Sequence, residues 1–209
     1  MVELFAADIR QIEPRADKLI HLLDEERQAR VRRLGTSPDA LRSLAAGLLL
    51  YDAFGENARN AKFAHGKRGK PHLPDHRPFN LTHAGDYAVL ALSGKSVGVD
   101  IERIRDINWK KLSSRFFHPD EQAFLAAADD PCATFFTIWT LKEAYLKAEG
   151  QGFSVSPISF SVLPCGGISA VLSGNESYHF RRFDAFPGYR LSVCAHEPEI
   201  RGVVQMRTF

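Results

Sequence analysis

The chain is poor in whatever would staple it or anchor it. It has three cysteines in 209 residues. Cys132, Cys165 and Cys194 are odd in number and far apart, so they form neither a disulfide framework nor a metal-binding pair. A reducing compartment is expected. No stretch approaches the ~20 consecutive apolar residues of a membrane span. Residues 1–16 carry acids and lack an apolar core of signal-peptide length. The expectation is a soluble, cytoplasmic protein with no membrane partner. Net charge is only +2, too mild to call for nucleic acid. What is present is an ordinary core. A hydrophobic share of 44% supports one large domain or two small ones.

Charge is instead local. Residues 59–77 hold six Lys or Arg against one acid, Asp75. Arg27, Arg30, Arg32 and Arg33 make a second cluster. Each cluster alone reads as solvated surface. Two of them beside a carboxylate site point to a polyanionic ligand. The carboxylate site lies in residues 97–102, Val-Gly-Val-Asp-Ile-Glu. In a strand, Asp100 and Glu102 share one face while Ile101 takes the other. Further on, residues 139–150 read Trp-Thr-Leu-Lys-Glu-Ala-Tyr-Leu-Lys-Ala-Glu-Gly. There Glu143 sits on a helix with Lys147 one turn later. Three convergent carboxylates suit Mg²⁺, a hard ion that prefers oxygen ligands, and lysines beside them suit phosphate. Each piece also has a plainer reading. Asp100 and Glu102 read as edge charges, Glu143 and Lys147 as an exposed intrahelical ion pair, Trp139 as core and His83 as a surface loop residue. Thr82 and His83 stand beside a glycine turn as two donors to phosphate.

Element patterns complete the reading. Residues 24–34 are charged and helical. Ser37 caps a second helix with Pro38 at its first position, and Leu41, Leu44, Ala45 and Leu48 give it an apolar stripe that leaves Arg42 free for a ligand. Residues 65–79 read as a loop. Strands are expected at 87–92 and 97–101, joined as a hairpin near Gly94-Lys95. Pro119 starts a helix through Ala128, and Asp129-Asp130-Pro131 separates it from the helix of Trp139 to Lys147. On that helix Ile138, Leu141, Tyr145 and Ala148 share one side and Glu143 and Lys147 another; Gly150 and Gly152 end it. Strands follow around 158–163, 168–172, 178–183 and 189–195. Short strands with tight turns predict an α+β class with antiparallel sheets. The chain divides into two parts near residues 106–113.

These motifs resemble the 4′-phosphopantetheinyl transferases, specifically the single-chain Sfp type. The family pattern Gly-(apolar)-Asp-(apolar)-Glu is met by Gly98 to Glu102. The pattern Trp-(Ser/Thr)-(apolar)-Lys-Glu-(Ala/Ser)-(aromatic)-(apolar)-Lys is met by Trp139 to Lys147. Residues 116–121, Phe-Phe-His-Pro-Asp-Glu, are similar to the segment between them. Gly69-Lys70-Pro71 and Phe79-Asn80-Leu81-Thr82-His83 are similar to upstream motifs. The resemblance runs from about residue 24 to residue 196. It implies two similar α/β subdomains related by a pseudo-twofold, residues 1–106 and 107–209, with the cofactor site in the cleft between them. It implies Mg²⁺ held by Asp100, Glu102 and Glu143, and coenzyme A as co-substrate. Arg27, Arg30, Arg42, Lys70, Pro71, Thr82, His83, Lys142 and Lys147 would bind the cofactor, with Glu143, Lys147 and His83 catalytic. Arginines at 27 and 30 stand where the match has lysines, keeping charge but changing geometry. Thr82 and Ala84 stand where serines are usual.

The implied reaction moves phosphopantetheine from coenzyme A to a serine of an apo acyl- or peptidyl-carrier protein, acidic and helical, and leaves 3′,5′-adenosine bisphosphate. The nucleophile belongs to the partner, so this chain needs no nucleophilic triad. Residues 105–117, with Lys110, Lys111 and Arg115 among Ile107, Trp109, Leu112 and Phe116, read either as a docking face for that carrier or as an ordinary amphipathic helix. A monomer is expected. A silent coenzyme A-binding module and a Mg²⁺-dependent phosphohydrolase are the competing classes.

Overall fold

The structure is a computed structural model that describes residues 1–60, 63–66, 69–150 and 155–209. Alternation opens the chain. Val2, Leu4 and Ala6 point one way and Phe5 and Ala7 the other, forming β1 (Val2–Asp8). Short helices α1 (Ile9–Ile12) and α2 (Ala16–Leu19) lead to α3 (Glu25–Leu34), capped by Asp24, and α4 (Pro38–Phe54), capped by Ser37. Both caps place a side-chain oxygen on an otherwise orphaned amide. Then come α5 (Glu56–Arg59), β2 (Ala64–His65), β3 (Pro71–His72), β4 (Phe79–Ala84), β5 (Tyr87–Leu92) and β6 (Val97–Arg103). Helices α6 (Trp109–Phe116), α7 (Pro119–Ala126) and α8 (Pro131–Glu149) follow. The chain closes with β7 (Val162–Cys165), β8 (Ser169–Leu172), β9 (His179–Phe183), β10 (Tyr189–Ala195) and β11 (Ile200–Arg207).

Two sheets carry the molecule, in orders β11-β1-β5-β4 and β6-β10-β9. Each repeats one topology: a strand, a long helix, then a hairpin whose second strand pairs antiparallel with the first strand. This repetition is the pseudo-symmetry expected of an α+β fold with two α/β halves. Strand alternation gives each sheet two apolar faces. Phe5, Ala7, Ala88 and Leu90 meet Leu44 and Leu48 of α4. The opposite faces meet one another, Leu4, Val89 and Ala91 against Val99, Ile101 and Val193. Leu141 and Ala144 of α8 cover the far side of the second sheet. The order is helix, sheet, sheet, helix.

Two expectations need correction. Strands β5 and β6 are not a hairpin: β5 pairs with β1 and β4, β6 pairs with β10, and residues 93–96 carry the chain from one sheet to the other. The two sheets also exchange strands across the expected division at residue 106. Strand β6 belongs to the second sheet, while β11 returns to the first and pairs parallel with β1, the one parallel ladder among the described residues. Residues 65–79 are not all loop, since β2 and β3 pair there. Gly150 ends α8 in the left-handed conformation as expected, whereas Gly152 lies outside the described residues.

Candidate active site

The site forms where β4, β6 and α8 meet. Strands β4 and β6 lie side by side without a backbone ladder. Side chains join them instead: the Val99 amide donates to Asn80 Oδ1 (2.9 Å) and the Ile101 amide to Thr82 Oγ1 (3.4 Å). His83 is therefore a strand residue rather than a loop residue. Helix α8 starts at Asp130, whose Oδ1 accepts from the Ala133 amide, followed by Pro131. It comes to rest directly on β6, because Gly98 has no side chain. A Cβ there would stand 2.0 Å from the Ala144 carbonyl oxygen and 2.4 Å from the Ala148 nitrogen. The glycine of the Gly-Val-Asp-Ile-Glu motif is what lets the helix carrying Glu143 and Lys147 touch the strand carrying Asp100.

Asp100 is 5% exposed. Its Oδ1 accepts from Lys147 Nζ (2.6 Å) and Thr82 Oγ1 (3.2 Å), while the buried Oδ2 has no hydrogen-bond partner among the described residues. Burial pushes this carboxyl up, and Lys147 opposes the shift. Lys147 Nζ also donates to the Val99 carbonyl (3.2 Å). Glu143 has a carboxyl pushed up to about 7, first by burial and then by the charge of Asp100, with Glu102 adding to it. Glu102 receives Arg105 Nη1 at 3.0 Å. Among the described residues no group of three or more His, Cys, Asp or Glu is gathered tightly enough to hold a metal ion. The three carboxylates share one electrostatic field while two of them hold cationic side chains. Their chemistry nonetheless fits a hard divalent ion. All donors are oxygens, Asp100 Oδ2 is a buried acceptor unpartnered among the described residues, and Glu143 is raised by burial and then by its acidic neighbours.

The cationic residues divide into groups. Arg27, Arg30 and Pro71 line one cavity of about 250 Å³ with Asp24, Glu26, Phe63 and Gly69. Gly47 makes room for Arg27, whose Cδ would lie 2.5 Å from a Cβ at that position. Burial lowers the Arg27 guanidinium and Asp24 opposes this, its Oδ2 3.6 Å from Nε, which has no hydrogen-bond acceptor among the described residues. Arg42 is partly committed, donating to the Gly85 carbonyl (2.9 Å) and to Asp39 (2.6 Å). His83 is exposed, and its imidazole is held below its ordinary value by partial desolvation and then by Arg42, Lys147 and Arg30. Lys70 sends its ammonium to the carbonyls of Val97 and Lys147.

Lys142 is a correction. It is 2% exposed and ion-paired to fully buried Glu121, with 2.7 Å to each oxygen, and it donates to the Phe160 carbonyl. Burial pushes the Lys142 ammonium down and the Glu121 carboxyl up, and their pairing opposes both. Glu121 also accepts from the His118 and Val162 amides. This hub fixes how α8 is turned, so that the next residue, Glu143, faces β6. Sequence reading assigned Glu121 no role, although it sits in the Phe-Phe-His-Pro-Asp-Glu motif. Asn80 was missed as well. Its signal was its place two residues before Thr82, on the same strand face.

Trp139 is partly buried among aromatics, stacked on Phe135 and edge-on to Phe116. In α6, Leu112 and Phe116 pack on the same cluster while Lys110, Lys111 and Arg115 are exposed.

Comparison with known proteins gives a consistent result. A family model described as the 4′-phosphopantetheinyl transferase superfamily matches residues 96–194. A 4′-phosphopantetheinyl transferase of Bacillus subtilis is 31% identical over 204 residues, covering 92% of this chain and 91% of that protein. The 4′-phosphopantetheinyl transferase Sfp of Bacillus subtilis (strain 168) is 28% identical over the same shares. Among solved structures, the holo-[acyl-carrier-protein] synthase (AcpS) of Thermotoga maritima aligns with 47% of this chain and 61% of its own, at 19% identity and a TM-score of 0.41. The matched segment 96–194 runs from β6 through α8 to β10, the elements that bring Asp100, Glu143 and Lys147 together, and the full-length relatives extend the match over the other sheet: the chain belongs to the 4′-phosphopantetheinyl transferase superfamily.

Proposed function

We propose that this site transfers the 4′-phosphopantetheine arm of coenzyme A to a serine of an apo-carrier protein and releases 3′,5′-adenosine bisphosphate. The observation that carries the reading is the contact of α8 on Gly98, which gathers Asp100, Glu143 and Lys147 on one side of β6. Asp100, Glu102 and Glu143 would hold Mg²⁺, which when bound supplies neutralisation of phosphate charge and polarisation of the bond to be broken. The basic cavity of Arg27, Arg30 and Pro71 suits the nucleotide end of coenzyme A. Lys147 bonds Asp100 and His83 lies in the field of Lys147, so both can donate to phosphate oxygens as charge develops. Glu143, half-buried in the field of Asp100 and Lys147, is the candidate to accept the serine proton. Bringing the serine and the phosphate together supplies a further part of the acceleration.

The carrier is read as an acidic helical domain. The exposed Lys110, Lys111 and Arg115 around half-buried Trp109 and Phe116 support docking at α6. The enzyme is read as a monomer in the cytoplasm. Free thiols at Cys132, Cys165 and Cys194 support a reducing compartment, and among the described residues no helix is long and apolar enough to cross a membrane.

Mass spectrometry of a panel of apo-carriers incubated with the chain, coenzyme A and Mg²⁺ tests the reading. Addition of the phosphopantetheine arm to at least one carrier is expected. Release of free phosphopantetheine with no carrier modified would make the chain a hydrolase instead, and no change in coenzyme A would make it a binding module.

A further inference from the structure

We infer that Lys70 is a positioning residue, one that pins the end of α8 to the start of β6 and so sets where Lys147 stands. Family resemblance gives Lys70 to the cofactor, and the geometry points elsewhere. Gly69 and Pro71 both line the cavity of Arg27 and Arg30. Lys70 lies between them but is not part of that lining; its side chain runs instead to β6 and α8. Its Nζ donates to the Val97 carbonyl at 2.8 Å and to the Lys147 carbonyl at 2.7 Å. Val97 opens β6, and Lys147 lies in the last turn of α8. The last carbonyls of a helix form its negative end, so an ammonium is a fitting cap. Among the described residues no carboxylate pairs with Lys70. Burial pulls its ammonium down to about 8, so the two carbonyls are what compensate its charge. Its own backbone is held too: the Gly66 amide donates to the Lys70 carbonyl and the Gly69 amide to the Gly66 carbonyl, with Gly69 at φ 83°.

Residues 69–71 therefore have two sides. One faces the basic cavity and the other holds the helix of Glu143 and Lys147. Contact at the cavity is transmitted to the reacting end through this lysine. The catalytic consequence rests on the transferase reading, whereas the structural one does not.

Hydrogen exchange of the full chain without coenzyme A or Mg²⁺ comes first. Lys70→Met should speed exchange about tenfold in peptides covering the start of β6 and the last turn of α8, the loss of a charge-assisted hydrogen bond. In steady-state transfer the same variant should lose roughly tenfold in kcat with KM for coenzyme A changed less than about twofold, as for an interaction that orients the reacting groups. Unchanged exchange in the free protein would overturn the inference. So would a raised KM with kcat intact, the mark of a direct cofactor contact. If Lys70→Met does not fold, Lys70→Arg carries the same measurements, since it keeps the charge a phosphate would need but cannot set one nitrogen between two carbonyls. An inactive wild type would sink the transferase reading and leave the exchange result to decide the role of Lys70.

Discussion

At the scale of single residues, position in sequence and position in space agree where a motif is local. Asp100 and Lys147 meet because a strand face and a helix face are each periodic, and both periods are visible in the letters. Lys142 shows the limit. Its neighbour Glu143 made it look like part of the site, but its partner Glu121 lies on another helix, and nothing in residues 139–147 announces it. Glu143 gives the first prediction. Its carboxyl is raised from 4.5 to about 7, mainly by burial. The folded state therefore holds this proton more tightly than the unfolded chain does. The stability it contributes is full below about 4.5 and is lost as pH rises toward about 7. In metal-free buffer, Glu143→Gln should melt above wild type at about pH 8 and together with it at about pH 4. Thermal melts at the two pH values decide this, and coincident curves at the higher pH would show that Glu143 is not held against its charge.

Elements were legible where they carry their own punctuation. Ser37-Pro38 and Asp130-Pro131 start α4 and α8, and Gly150 stops the latter. Pairing was less legible. Strands β5 and β6 are neighbours in sequence with a turn between them, so a hairpin was the natural expectation. What decides otherwise is that each has another partner that completes its ladder, β1 for the first and β10 for the second. Strand β11 was missed because Val203 and Met206 face solvent at a sheet edge and give little alternating signal. The element contact most open to attack is α8 on β6. Gly98→Ala puts a methyl against backbone atoms at 2.0 and 2.4 Å that no side-chain rotation can clear. Overpacking of this kind costs about 1–3 kcal/mol, which urea unfolding should show as a lower midpoint. Transfer should fall by more than the lost fraction of folded protein, because the helix that moves carries Glu143 and Lys147. A Gly98→Ala variant with wild-type midpoint and rate would mean that α8 does not sit on the strand as described.

For the whole molecule, the class and the two-part plan were readable, but the way the parts share the chain was not. Strand β6 crosses into the second sheet and β11 returns to the first, so the first and last strands pair in one sheet. The candidate site draws on both halves: Arg27, Arg30 and His83 come from the first, Asp100 and Glu143 from the second. A ligand bound across them stabilises the native arrangement. Coenzyme A and Mg²⁺ together should raise the melting temperature by more than either alone, and the excess should shrink in Glu143→Ala. A melt in which Mg²⁺ adds nothing to the coenzyme A effect would remove the carboxylates from the cofactor site. The central claim is that Asp100 and Glu143, brought together by Gly98, carry the transfer. It is tested most directly by the rate at which purified, folded Glu143→Ala modifies an apo-carrier that wild type modifies, at matched coenzyme A and Mg²⁺, read by mass spectrometry. A loss of about a hundredfold or more is expected, the scale of removing one group that stabilises a transition state; a rate above about a tenth of wild type would contradict the assignment.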